Sequence, residues 1–259
     1  MLTAIAAEIR FEPFILRGID VSVVEQEVFG DDPREARVGS NSVLRQSSDA
    51  LDRFSRVMVR AGIAMKVVAC KTDEAIYHDG DRAESIYQVV RGAVRSSKHF
   101  SEGHRRIAAF HLPGQVFGLE YGSIHGSAAE ATIDSTLRVV KRSSIEQAAK
   151  LDAQVACELW SMTADALRRA EDLIQLLGQK VASKQVVSFL LEMDSTLAAR
   201  GEVELPMSRR DVADYLGLTH ETVSRVLSKL ENQHILAFSG ARSRRILLFN
   251  RTLLRSMSA

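Results

Sequence analysis

SRRDVADYLGLTHETVSRVLSKLENQHI, residues 208–235, reads as two short helices about a glycine-centred turn. Ser208 is a good N-cap, and Asp211, three residues on, supplies the acidic partner of a capping box. Val212, Ala213 and Leu216 give the first helix an inward stripe. Gly217 suits the left-handed position that ends a helix. Thr219 then caps a second helix, where Glu221 in the first turn complements the N-terminal dipole. On a 3.6-residue repeat, Val223, Val226, Leu227 and Leu230 share one face, and Glu221, Ser224, Arg225 and Ser228 share the opposite one. The apolar face anchors the helix to a small core and leaves the polar face for an outside partner. This is a helix-turn-helix pattern, whose second helix enters the major groove of DNA with its N-terminal residues at base edges. The i,i+4 pair Glu221–Arg225 is equally able to brace a solvated surface, so the context has to decide.

That context favours DNA. Residues 238–249, FSGARSRRILLF, read as a strand, a glycine turn and a basic strand, a wing beside the two helices. From Pro206 to Ala259 there are nine Lys and Arg against four Asp and Glu, a net charge of +5 in a chain of net +1. Positive charge gathered in one segment is what phosphate contacts and counterion release require.

Length and composition bound the rest. A chain of 259 residues, 46% of them hydrophobic, fills two cores. No apolar run is long enough for a membrane span, and the apolar N-terminal stretch is broken at Glu8 and Arg10, too short for a secretory segment. Cys70 and Cys157 are far apart and no CxxC occurs, so neither a zinc site nor a disulfide framework is indicated and a reducing, cytoplasmic setting is expected. No nucleophile elbow, P-loop, HExxH or GxGxxG motif is present, and the chain does not read as an enzyme.

Residues 1–50 read as a partly disordered extension, followed by a short amphipathic helix over 51–60. Residues 64–70, 86–91, 93–100, 106–111 and 131–141 are strand-like runs separated by turn signals such as Asp79-Gly80-Asp81 and Pro113-Gly114, which predicts a sandwich or jelly roll. Then the period changes. Val155, Leu159, Met162, Ala166, Leu173 and Leu176 fall at steps of four and three, with Arg169 interrupting, and predict a heptad seam in one helix of about nine turns over 145–178. Its expected partner is a second copy of the chain, with packing on the β domain as the alternative. A further helix over 181–197 opens the last domain. The predicted class is α+β: an extension at 1–50, a β-roll at 51–144, a dimerisation helix at 145–178 and a winged helix-turn-helix at 179–259.

In that order of parts the chain resembles the Crp/Fnr superfamily of bacterial transcription regulators over about residues 51–250. The most specific stretch, DYLGLTHETVSR at 214–225, is similar to the Fnr/FixK branch, whose base-reading pattern E-x-x-S-R falls on Glu221, Ser224 and Arg225. The resemblance implies a homodimeric, cytoplasmic regulator, mainly an activator, that binds double-stranded DNA at a TTGAT-N4-ATCAA-type palindrome and recruits RNA polymerase. Low-oxygen or nitrogen-related genes are the implied targets. Arg225 would donate to guanine, Glu221 would accept from cytosine N4 and Ser224 would favour thymine. Ser208, Arg209, Thr219, His220, Thr222, Ser228, Lys229, Arg242 and Arg244 are the expected phosphate and positioning contacts.

Two departures from the family set the type. Nucleotide-binding members hold the cyclic phosphate with a Gly-Glu turn and a following Arg-Ser/Thr-Ala. Here Gly118-Leu119-Glu120-Tyr121-Gly122 precedes Ser127-Ala128-Ala129-Glu130-Ala131, which lacks the Arg and leaves Glu130 as an unpaired carboxylate. Oxygen-sensing members carry an N-terminal cysteine group, and no cysteine precedes Cys70. A FixK-like regulator without cofactor or metal is the reading that remains. The alternative is a ligand- or haem-gated, nitric-oxide-type sensor; His99, His104, His111 and His125 cluster in sequence in the β domain, with a spacing that matches no metal motif. Lys98, Arg105 and Arg106 read as a solvated hairpin tip that in relatives can touch RNA polymerase, and Cys157 as a small packing residue.

Overall fold

Short, half-buried strands bring the first half of the chain into two antiparallel sheets facing each other. The structure, a computed structural model, describes residues 52–100, 105–120, 122–197, 199–239 and 244–258; the expected extension at 1–50 lies outside them. One sheet runs β1 (Lys66–Cys70), β8 (Ser135–Lys141), β3 (Ser85–Arg91), β6 (Val116–Phe117). The other runs β2 (Ala75–Tyr77), β7 (Ala128–Ala131), β4 (Val94–His99), β5 (Arg105–His111). Between them Tyr77, Val89, Val94, Phe117, Ala129, Ala131 and Leu137 form one buried cluster. The run expected as one strand over 131–141 is two, because the Thr132 hydroxyl donates to the Ala93 carbonyl at 3.1 Å and Ser135 Oγ accepts from the Ala93 amide at 3.0 Å. Side-chain bonds to the backbone replace ladder bonds at that bend.

Helix α1 (Arg53–Arg60), capped by Asp52, packs Phe54, Val57 and Met58 against Ile86, Val116 and Val140. The nine-turn helix expected over 145–178 is broken. Helix α2 (Arg142–Leu151) ends before Asp152, which is extended at φ −125°, ψ 108°, and α3 (Ala153–Leu177) begins again with the Asp152 side chain accepting from the Gln154 amide at 2.8 Å.

The expected dimer seam is corrected as well. Val155 and Met162 are buried in the same cluster as α1, with Leu159 packed against it. Leu176 is buried in the C-terminal core, with Leu173 packed on it, and Ala166 is half-buried. These residues face the chain's own fold. The outward face of α3 carries Trp160, Thr163, Leu167, Ala170, Ile174 and Leu177, all exposed and spaced by alternating threes and fours.

The rest of the chain forms α4 (Ala182–Thr196), β9 (Glu202–Glu204), α5 (Arg209–Leu216), α6 (His220–Asn232), the pair β10 (Leu236–Ser239) and β11 (Arg245–Leu248), and α7 (Arg251–Ser258), with the sheet order β10-β11-β9. Its core of Phe189, Leu190, Leu216, Val223, Leu227, Leu230 and Ile246 continues into the β-roll through Ala93, Ile107, Phe110 and Leu112. The Phe110 ring lies 5.0 Å from Tyr215, and Phe189 lies 5.8 Å from the same ring. Residues Asp49–Ala259 make one compact unit. No helix of the described residues is long and apolar enough to cross a membrane.

Candidate nucleic-acid interface

The two helices form where their caps place them. Ser208 accepts from the Asp211 amide at 3.1 Å while the Asp211 carboxylate accepts from the Ser208 amide at 3.0 Å, a closed capping box contributing about 1 kcal/mol. Gly217 ends α5 in the left-handed region at φ 66°, ψ 28°, and the Arg106 guanidinium sits where a Cβ at this position would go. Glycine adopts this left-handed conformation without strain. Thr219 then caps α6, accepting from the Thr222 amide at 3.2 Å.

Helix α6 buries Val223, Leu227 and Leu230 and half-buries Val226. Glu221, Arg225 and Ser228 are exposed on the other side, with Ser224 half-buried between them. Among the described residues neither Glu221 nor Arg225 is held in an ion pair. The Glu221 backbone amide, then the Thr219 hydroxyl and the charges of His220 and Arg225, hold the Glu221 carboxyl below the usual carboxylate range. It therefore stands ready as an ionised acceptor.

Around this face the expected positioning residues divide. His220 and Lys229 are exposed, and Thr222 is half-buried with its hydroxyl 3.0 Å from that of Thr219. Ser208 and Thr219 are committed to their caps. Arg209 lies over the Phe238 ring, 4.5 Å from its centroid, tying the wing to α5. Arg245 is braced against Glu202 and Glu204 of β9 at 3.4 and 3.5 Å, whereas Arg244 is half-buried with no carboxylate partner among the described residues. Arg242 lies outside the described residues.

Two arginines of the β-roll reach across to α5. Arg105 of β5, expected at a hairpin tip, contacts Asp211 and Asp214 of α5 at 2.6 and 2.7 Å. Arg95 of β4 reaches Asp211 at 3.2 Å, Glu130 at 2.9 Å and Asp73 at 3.0 Å. Glu130 is thus paired, which corrects its reading as a free carboxylate. Burial pushes the Asp211 carboxyl up, but the Ser208 hydroxyl and amide and the two guanidiniums outweigh it, and the group lies below its ordinary value. No local pattern signals the contacts to Asp211, because the partners are more than a hundred residues apart. Lys98 is exposed, as expected of a hairpin tip.

The interior of the β-roll does not fit a cyclic nucleotide. Tyr77 stacks on His125 at 3.5 Å, His111 on Phe117 at 4.7 Å and Tyr87 on Phe117 at 5.1 Å, so protein rings fill the space between the sheets. The 118–122 turn is closed by Arg142, whose guanidinium donates to the carbonyls of Gly118, Glu120 and Gly122. Glu120 points its carboxylate at Tyr77 and His125, and burial followed by this charge pushes the Tyr77 hydroxyl far above its ordinary value. The Glu120 carboxylate inside repels a phosphate, and Arg95 outside is already engaged by Asp73, Glu130 and Asp211. The three described members of the histidine group do not form a centre either. His99 is exposed, His111 and His125 are buried on separate rings, and His104 lies outside the described residues. Burial, and then the charge of Arg169, pushes His111 down to about 3, so it is a neutral core side chain. Among the described residues no three His, Cys, Asp or Glu side chains are placed to bind a metal.

A β-roll of cyclic-nucleotide-binding form, a long helix and a winged helix-turn-helix together define a bipartite transcription regulator. Residues 67–152 match the model of the cyclic nucleotide-binding domain, and residues 184–257 match the Crp-like helix-turn-helix domain. The chain belongs to the Crp/Fnr family. Within that family it is FixK-like. It is 41% identical over 216 residues to the nitrogen fixation regulation protein FixK of Azorhizobium caulinodans, covering 81% of this chain and 86% of that one. The protein of the same name from Rhizobium meliloti is 37% identical over 177 residues, covering 68% and 81%. The solved structure of FixK2 from Bradyrhizobium japonicum superposes with a TM-score of 0.72 at 57% identity, covering 76% of this chain and 98% of that one.

Proposed function

We propose that the chain is a homodimeric activator that reads a TTGAT-N4-ATCAA-type palindrome, one half-site per α6, without a small-molecule effector. The observation that carries the reading is the division of α6: Val223, Leu227 and Leu230 are buried while Glu221, Ser224 and Arg225 share the outward face of its first two turns. Those three side chains have the donors and acceptors that guanine, cytosine and thymine edges need. Arg225 donates to guanine, Glu221 accepts from cytosine N4 and Ser224 packs at thymine. His220, Thr222, Ser228, Lys229 and Arg244 would contact phosphates, and the caps at Ser208 and Thr219 present their helix N-termini to the backbone.

Two half-sites call for two α6 helices, and the exposed heptad of Trp160, Leu167 and Ile174 on α3 is the proposed seam between copies. Control of nitrogen-related genes is supported by the names of the FixK relatives; control of low-oxygen genes and recruitment of RNA polymerase are what the family resemblance implies. The closed β-roll interior supports action without an effector. A mobility-shift titration on a TTGAT-N4-ATCAA duplex, beside the same duplex with its G·C pairs exchanged, tests the reading. Specific binding by the purified, colourless dimer is expected; equal affinity for both duplexes refutes it.

A further inference from the structure

The described contacts between the β-roll and the helix-turn-helix are of two kinds. One is apolar: Ile107, Phe110 and Leu112 of the roll share a core with Phe189 and Tyr215. Such contacts hold two surfaces together but fix no angle, because burial of apolar area is non-directional. The other is ionic and directional. Asp211 and Asp214 lie three residues apart, on one face of α5. Arg105 spans them, with Nη2 2.6 Å from Asp211 Oδ1 and Nε 2.9 Å from Asp214 Oδ2. Arg95 approaches Asp211 from the neighbouring strand through Nη1 at 3.2 Å, while its Nε bonds Glu130 at 2.9 Å and its Nη2 bonds Asp73 at 3.0 Å. The Arg95 side chain is 10% exposed and that of Asp211 5%. Guanidinium forks at this burial accept few relative orientations of their carboxylates. Helix α5 is joined to α6 by the short turn at the left-handed Gly217, and the two share a core through Val212, Leu216, Val223 and Leu227. Whatever fixes α5 on the roll therefore fixes the reading helix.

We infer that Arg95 and Arg105 are positioning residues for DNA reading: through Asp211 and Asp214 they set the angle of α6 against the β-roll. In a dimer built on α3, that angle sets the distance between the two reading helices, and so the half-site spacing the protein accepts. The chain's own charges thus supply a fixed pose while the reading face stays open. The inference rests on the DNA-reading role proposed above for α6.

The test uses the full chain with Arg105→Gln and, separately, Asp214→Asn. Neither residue belongs to the DNA-contacting set, and neither closes the α5 cap. Spin labels at Lys66 and Asn232, in a Cys157→Ser background, report the pose in the free protein. A narrow distance distribution is expected for the parent and a broadened one for both variants. On duplexes with N3, N4 and N5 spacers, the parent is expected to prefer N4. Arg105→Gln should bind N4 about tenfold more weakly and lose most of its preference over N3 and N5. Arg105→Lys, which keeps the charge without the fork, should recover part of the preference. An unchanged distance distribution in both variants overturns the inference, whatever the DNA result. A broadened distribution with an unaltered spacer preference overturns it too. If the parent itself shows no specific binding, the DNA-reading proposal fails, and the distances still decide whether these pairs set the pose.

Discussion

Helices α3 and α6 each bury one side, and what they leave outside is opposite in kind. Helix α6 presents Glu221, Ser224, Arg225 and Ser228, which are donors, acceptors and charges. Helix α3 presents Trp160, 79% exposed, Leu167, 59%, and Ile174, 69%. Water satisfies the first face, so α6 can stand free until DNA replaces that water. It does not satisfy the second, and this exposed apolar stripe is the surface proposed above to pair with a second copy. One molecule therefore carries a face that awaits an occasional partner and a face that calls for a constant one.

Breaking the α3 side of this contrast should have the largest effect. A charge at Leu167, as in Leu167→Glu, is expected to give monomers in analytical ultracentrifugation. Operator affinity should then fall roughly 100- to 10,000-fold, because two linked half-site contacts become one. Met162→Ala, on the inner face of the same helix, should leave the dimer intact and lower unfolding stability by about 2–5 kcal/mol in urea. If Met162→Ala dissociates the dimer and Leu167→Glu does not, the two faces have been assigned the wrong way round.

On the α6 side, Arg225→Ala should cost about 1–3 kcal/mol of operator binding and relax the choice at one base pair per half-site. Competition against single-base operator variants measures this. Arg244→Ala should weaken every sequence alike and lower the slope of log affinity against log salt by about 1. A change in base preference instead would place Arg244 among the readers. The smallest effect concerns pH. Because the Glu221 carboxyl is held below its ordinary value, it stays ionised to lower pH than a free glutamate. Its discrimination should therefore be flat from pH 8 down to 5.5 and be lost only as acid reaches its lowered value. A fall in discrimination within that range would show that a group other than Glu221 sets it.

The same contrast explains what the sequence disclosed. Helix α6 is legible because its polar and apolar faces differ chemically and its start is marked by Gly217, which ends α5, and by the cap at Thr219. Helix α3 has apolar residues on two faces, so its period announces a helix without saying which face turns inward; Val155 and Met162 are core, and Trp160 and Ile174 are not. The break at Asp152 is hidden because Asp is compatible both with a helix and with the N-cap of a new one. Strands β2 and β6 span three and two residues and carry too little pattern to register. Arg105 reads as part of a solvated hairpin tip because an ion pair across more than a hundred residues leaves no local trace.

The Asp211 carboxylate closes the first turn of α5 and receives both β-roll arginines. Fraying of that turn withdraws the acceptor that docks the helix, and undocking exposes the carboxylate that caps it. Local helix formation and long-range assembly are thereby one thermodynamic event. The β-roll and the helix-turn-helix are tied into a single cooperative unit of unfolding, although the chain builds them from separate stretches of sequence.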